Sequence, residues 1–218
     1  MRMRIPAPVL ASVLGCLAFA ALAAPIAHAA VATASAPAAR AGEEVEVAGV
    51  KFTPNLRAAS GAGWLEAAVA LDVRPATTAP GRMVSRVRVA LLLHFEVAAG
   101  AGAPKRSEYY RAEAECVALE AGRAEVRFYL PPELVKRDQL AGEPRAWGVE
   151  LAVGGRTVAA ARGAYPAALA TAEARKNFQA RGATAAAAND GLLLPQFLTP
   201  FFGDYPRATP TFVRREMR

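Results

Sequence analysis

Strict alternation of apolar and polar positions is the dominant pattern in the middle of the chain, and it is clearest between residues 86 and 97. Successive side chains of a β-strand point to opposite sides, whereas a helix would scatter these residues around its axis. The pattern therefore predicts a half-buried strand. Its inner face contains Val87, Val89, Leu91, Leu93, Phe95 and Val97, and its outer face contains Arg86, Arg88, His94 and Glu96.

Other short segments with the same period lie between residues 43 and 165. They cover residues 45–52, 64–73, 109–119, 125–130 and 147–153, and a last strand follows residue 155. Gly49 indicates a bulge, and Gly154 with Gly155 is typical of a two-residue hairpin, because glycine accepts positive φ angles. Residues 131–136 are expected to form a one-turn helix. About seven short strands with almost no helix predict an all-β, immunoglobulin-like β-sandwich.

The N-terminus has the pattern of a secretory signal. Arg2 and Arg4 precede an apolar run over residues 9–24, and the small residues around His28 suit a signal peptidase that cleaves after Ala29 or Ala30. We therefore expect an exported protein of the periplasm or outer cell envelope, with no transmembrane anchor in the mature chain. Residues 13–16 also form a passable lipobox, so lipidation of Cys16 is the alternative.

The flanks of the sandwich complete the domain organisation. Residues 166–181 are rich in alanine, which predicts a helix that Gly182 ends. Four prolines beyond residue 189 exclude a helix or a central strand, yet the many Leu and Phe residues there are too apolar for a disordered segment. We divide the chain into a signal peptide (1–30), a flexible Ala/Pro-rich leader (31–42), the sandwich (43–165), and a C-terminal helix with an apolar, proline-rich tail (166–218).

Few side chains are available for chemistry. The 26 Lys and Arg exceed the 19 Asp and Glu, and loss of Arg2 and Arg4 with the signal lowers the net charge from +7 to +5. In an exported protein this charge does not indicate nucleic acid. After cleavage Cys116 is the only cysteine and His94 the only histidine, so we expect no disulfide, metal site, cofactor or catalytic residue. We interpret Cys116 as a buried thiol and His94 as a surface strand residue, and predict that the protein is not an enzyme.

The apolar tail allows two interpretations. It either wraps back and covers an open sheet edge of its own domain, or docks on another subunit by adding a strand. Both favour assembly over catalysis, with envelope or pilus-assembly proteins as partners and possible self-association through the tail. The docking anchors would be Leu192, Leu193, Leu194, Phe197, Phe201 and Phe202, with Arg214 and Arg215 as an electrostatic clamp.

Three aromatic residues suggest an alternative function. If Trp64, Tyr109 and Tyr129 were exposed, they could form a sugar-stacking surface. The protein would then be a carbohydrate- or envelope-binding module.

Three stretches carry a resemblance to a known family. FYLPPELVKRD (128–138), NDGLLLPQFLTPF (189–201) and PTFVRRE (210–216) resemble the exported, pilus-like proteins encoded with type IV pilus-type assembly genes in Verrucomicrobia. The resemblance implies an immunoglobulin-like fold and a place in an envelope pilus system beside a secretin and a PilM-like component, and it implies no catalytic residues. The chain lacks a prepilin cleavage junction and a long apolar N-terminal helix, so we expect an accessory protein and not a filament subunit.

Overall fold

The computed structural model describes residues 44–58, 61, 63–98, 104–140, 142–203 and 210–213. The predicted signal peptide and leader lie outside these residues. Two antiparallel sheets of four strands each form the domain. The first sheet has the order β1-β2-β5-β8, with β1 at Val45–Arg57, β2 at Gly63–Val73, β5 at Gly122–Leu130 and β8 at Leu194–Pro195. The second has the order β4-β3-β6-β7, with β4 at Arg106–Glu120, β3 at Met83–Val97, β6 at Ala146–Val153 and β7 at Arg156–Thr157.

The inward faces of both sheets form the main core. In β3, Leu91 lies opposite Ala112 of β4 and Val149 of β6, and all three are buried. The apolar face predicted for β3 is fully enclosed, because alternate residues of the facing sheet, such as Val69 and Val126, pack against it. The predicted all-β sandwich is confirmed, and its immunoglobulin-like character fits this arrangement. The two-residue strand β8, in the C-terminal tail, adds an eighth strand.

Local turn chemistry follows the sequence closely. The pairing of β1 with β2 shifts register between Val47 and Gly49, which is the expected bulge. Gly154 and Gly155 have φ angles of 56° and 85° and connect β6 to β7. Helix α1 at Pro132–Arg137 starts with proline at its first position, where the missing N–H has no helical partner to lose.

The C-terminal helix differs from the prediction at both ends. A 3-10 turn occupies Ala167–Leu169, and helix α2 runs over Ala172–Ala185. Thr171 caps α2, since its hydroxyl oxygen accepts from the backbone N–H of Ala174 at 3.1 Å. The prediction that Gly182 ends the helix was wrong. Gly182 is buried inside α2, where a Cβ atom would lie 2.2 Å from Cδ2 of Leu92, so glycine serves close packing there.

Helix α2 covers part of the outer face of the second sheet. Leu92 and Tyr109, on the outer sides of β3 and β4, are buried together with Phe178 of α2. This second, smaller core explains why the apolar Leu92 lies on the outer face of β3, beside the polar residues Arg88, His94 and Glu96. No helix in the described ranges has both the length and the apolar character needed to span a membrane.

The buried thiol was predicted correctly. Cys116 is fully buried in the main core, and it is a free cysteine. Burial raises the pKa of its thiol to about 12, so the reactive thiolate is suppressed at neutral pH.

Candidate interaction site at two sheet edges

Two sheet edges lie side by side where the chain passes from β4 to β5. These consecutive strands belong to different sheets, and β4 is the outermost strand of its sheet. An edge strand presents unpaired backbone groups that invite pairing with another chain. In this protein residues 189–203 and 210–213, here called the C-terminal tail, contact both edges.

Strand β8 covers the edge of β5. Leu194 lies opposite Tyr129 and Pro195 opposite Phe128. Proline is tolerated there because an outermost strand does not need every N–H in a ladder. Leu193, which precedes this strand, is 2% exposed and belongs to the main core. This part of the tail is therefore integral to the fold.

A cluster of aromatic rings holds the next turn of the tail. The ring of Phe201 stacks on Tyr129 with 4.7 Å between centroids, and meets Trp64 edge-on at 5.6 Å. Two hydrogen bonds fix the turn: the Gln196 amide Nε2 donates to the carbonyl of Phe201 at 3.0 Å, and the Thr199 hydroxyl donates to the carbonyl of Gln196 at 2.8 Å. Phe201 is only 4% exposed.

The three aromatic residues of the hypothetical sugar-stacking surface are not available to a ligand. Phe201 covers Trp64 and Tyr129, and α2 covers Tyr109, so all three aromatic residues are buried. The Tyr129 hydroxyl donates to Oε2 of Glu66 at 2.9 Å, and burial together with this carboxylate raises the pKa of Tyr129. The expectation that these aromatics could bind sugars was wrong, because the tail and α2 use their faces for internal packing.

The end of the tail pairs with β4. Phe212 forms an antiparallel bridge with Cys116. The N–H of Val117 donates to the carbonyl of Thr211 at 2.8 Å, and the N–H of Val213 donates to the carbonyl of Glu115 at 2.7 Å. The ring of Phe212 also lies 5.5 Å from the ring of Phe197.

The predicted docking residues divide by exposure. Leu193 and Phe201 are buried in this domain, Leu192, Leu194 and Phe197 are half-buried, and Phe202 is 53% exposed. Arg214 and Arg215 lie outside the described residues. Leu198, which is not among the predicted anchors, is 46% exposed.

The tail and β4 enclose a groove of about 240 Å³. Its apolar wall is formed by Leu193, Leu194, Pro195, Phe197, Leu198 and Val213, and its polar rim by Arg88, Arg111, Glu113, Glu115 and Asp190. Asp190 and the β4 residues of this rim were not predicted from the sequence. In the sequence, the β4 residues appear only as part of a charged outer strand face, and such a face does not by itself indicate a groove.

A buried carboxylate fixes β4 to the loop after α1. Asp138 accepts from the Tyr110 hydroxyl at 2.8 Å, from Arg106 at 2.9 Å and from Arg137 at 2.7 Å. The hydrogen bond from Arg137 is the main cause that holds the pKa of Asp138 below its usual value. These hydrogen bonds join β4 to the C-terminal end of α1.

His94 was predicted to be a surface strand residue, but it is half-buried on the outer side of β3, and its Nε2 atom is buried without a hydrogen-bond partner among the described residues. Its ring stacks on Tyr109 with 4.5 Å between centroids. Burial lowers the pKa of His94, partly against the raising effect of Glu96. Across the described ranges, no three His, Cys, Asp or Glu side chains come close enough together to bind a metal ion.

Comparison with known proteins gives a relationship of fold. No protein-family model and no curated protein matches the sequence. The chain is similar to a crystal structure of a protein from Akkermansia muciniphila, with a TM-score of 0.62 and 14% identity, over 79% of this chain and 94% of that chain. At this identity the likeness shows a related fold.

Proposed function

We propose that this protein is a non-catalytic structural or adaptor component of a type IV pilus-like or secretion assembly in a bacterial envelope. The observation that carries the proposal is the exposure of Phe202 directly after the buried Phe201. A tail anchored by its own core residues presents a large apolar side chain to solvent in a fixed place. Covering the exposed half of a Phe side chain in an interface would contribute about 1 kcal/mol.

A second exposed apolar residue lies four positions earlier in the chain. Leu198 is almost as exposed as Phe202, and both lie in the 3-10 turns that follow β8. The backbone N–H of Phe202 donates to the carbonyl of Thr199 at 3.1 Å, which restrains the turn. A restrained apolar pair loses little conformational entropy when a partner covers it, so it suits protein recognition.

Two further observations support an envelope assembly. The N-terminal pattern is typical of export, and the three stretches quoted above resemble verrucomicrobial pilus-like proteins. The predicted mature chain has a single histidine and a single cysteine, which supports a role without catalysis.

Affinity capture from the native envelope tests the proposal. Tagged protein is cross-linked in cells of the source bacterium, recovered from the envelope fraction and analysed for co-purified proteins. We expect a cleaved N-terminus and enrichment of pilus-type or secretion components. The double variant Leu198→Ser, Phe202→Ser should reduce that enrichment at least fivefold.

The control is Met83→Ser, because Met83 is another exposed apolar residue, at 40% exposure, and lies on β3 outside the tail. It should leave the enrichment unchanged. Recovery of the protein in the cytoplasm with an uncleaved N-terminus would contradict the proposal. So would the same set of captured proteins for the wild type and the double variant.

A further inference from the structure

His94 lies beside the second core, through which α2 packs on the outer face of the second sheet. Its direct neighbours across the sheet are Tyr109 of β4 and Ala146 of β6, and both belong to that core. The His94 ring stacks on Tyr109, whose own ring lies 6.2 Å from that of Phe178 on α2. One aromatic ring therefore joins the only histidine of the predicted mature chain to the helix.

The position of the His94 ring makes its protonation unfavourable. Nε2 of His94 is buried, and no hydrogen-bond partner for it lies among the described residues. A neutral imidazole carries a hydrogen on one ring nitrogen only, so Nε2 can be the bare one, whereas the imidazolium carries a hydrogen on both. Protonation would therefore leave a buried N–H without an acceptor, and an unsatisfied buried donor destabilises the state that contains it.

The charged groups around His94 oppose its protonation as well. Glu96, two residues further along β3, favours the charged imidazole, but Arg145, directly before β6, and Arg181 on α2 disfavour it. Glu96 is also shared by other cations, since Arg145 lies 3.8 Å from one of its carboxylate oxygens and Lys105 lies 3.9 Å from the other. An imidazolium at position 94 would be a third cation near a single carboxylate.

The neighbouring strands do not compensate for these cations. β4 places the Tyr109 ring against His94, and its next outward-facing residue, Arg111, pairs with Glu113 at 2.7 Å. The β6 residue opposite His94 is Ala146, which has no charge. Burial is the largest effect, and together with the two arginines it lowers the pKa of His94. The site therefore favours the neutral imidazole.

From this geometry we propose that docking of α2 on the second sheet is acid-sensitive, with His94 as the sensor. Release of α2 removes Arg181 and opens the surface beside the imidazole to water, so an undocked helix permits protonation. Because the pKa of His94 is lowered in the docked state, that state loses stability as the pH falls below about 6.5, the ordinary pKa of histidine. Each release exposes the apolar side chains of Leu92 and Tyr109. The inference goes beyond the proposed assembly function and does not depend on it.

Amide hydrogen exchange of the purified mature chain tests the inference, with each rate divided by the intrinsic rate at the same pH. We expect the protection of residues 172–185 to fall about threefold between pH 7.5 and pH 5.0, and to lie below that of core strand β2 at pH 5.0. His94→Gln, which cannot take up a proton, should keep the same protection of α2 at both pH values. NMR titration of the imidazole should give a pKa of His94 below 6.5.

Two substitutions on α2 distinguish the sensor from a general charge effect. Arg181→Gln removes a cation that acts on His94, so it should raise the pKa of His94 and weaken the response of α2 to acid. Lys176→Gln, at another exposed cation of the same helix, should change neither. The inference is overturned if His94 titrates at or above pH 6.5, if the protection of α2 is the same at both pH values, or if His94→Gln loses protection in acid as the wild type does.

Discussion

Replacing Phe201 by alanine tests whether the tail is part of the folded domain. The substitution removes a ring that is 4% exposed and contacts both Trp64 and Tyr129. Neighbouring Phe202 offers a matched control, because it has the same side chain one residue later and is 53% exposed. The two variants therefore differ in burial and not in the atoms removed.

The expected magnitude follows from packing. Truncation of a buried Phe to Ala costs about 3–5 kcal/mol, and aromatic pair geometry contributes about 0.5–1.5 kcal/mol beyond burial. Since the tail can partly collapse over the vacated space, we expect Phe201→Ala to lower the free energy of unfolding by about 3 kcal/mol. Phe202→Ala should change it by less than about 1 kcal/mol.

Urea unfolding followed by tryptophan fluorescence measures the difference, because Trp64 lies in the affected cluster. Hydrogen exchange over residues 192–203 should also become faster in Phe201→Ala than in Phe202→Ala. Equal and small effects of the two substitutions on stability would refute the reasoning. The tail would then contribute nothing to the domain, and the burial of Leu193 and Phe201 could not anchor a docking surface.

Three further predictions concern the rest of the domain. Asp138→Asn should lower the free energy of unfolding by about 2 kcal/mol. Because the pKa of Asp138 is lowered in the folded state, its contribution to stability is present above about pH 4 and is lost as the pH falls further. The urea unfolding curves of wild type and variant should therefore converge in acid. Gly182→Ala should destabilise the domain by about 1–3 kcal/mol, because the new methyl group would clash with Leu92 even though alanine has the better helix propensity. In a double-mutant cycle, Leu92→Ala should relieve that clash. The exposed Thr184→Ala is the control, with a change within about 0.5 kcal/mol. Cys116 should resist a thiol reagent at pH 8 in the native protein and react on unfolding, and rapid native labelling would contradict its burial.

The strands were predictable because two-sided burial imposes a period of two. The alternation in β3 and the paired glycines at 154 and 155 each express a local rule that tertiary packing did not override. Helix α2 was harder to delimit. Glycine ends many helices, but Gly182 lies inside α2 because its contact with Leu92 leaves no room for a side chain. A contact between residues so distant in sequence leaves no local signal.

The candidate site was only partly predictable. The apolar composition of the tail indicated that other residues must cover it. Composition could not indicate that, of two successive phenylalanines, Phe201 is buried and Phe202 is exposed. Their roles are set by the turn that Gln196 and Thr199 stabilise, which periodicity does not describe. Strand β8 has two residues, one of them proline, and is too short for any alternation to show.

Site-specific photo-crosslinking tests the central claim most directly. A benzoylphenylalanine is introduced in place of Phe202, and separately in place of Met83, in the protein expressed in its source bacterium. The account predicts that light produces an adduct with another envelope protein from position 202 and not from position 83. Absence of an intermolecular adduct at position 202, or equal adducts from both positions, would contradict it.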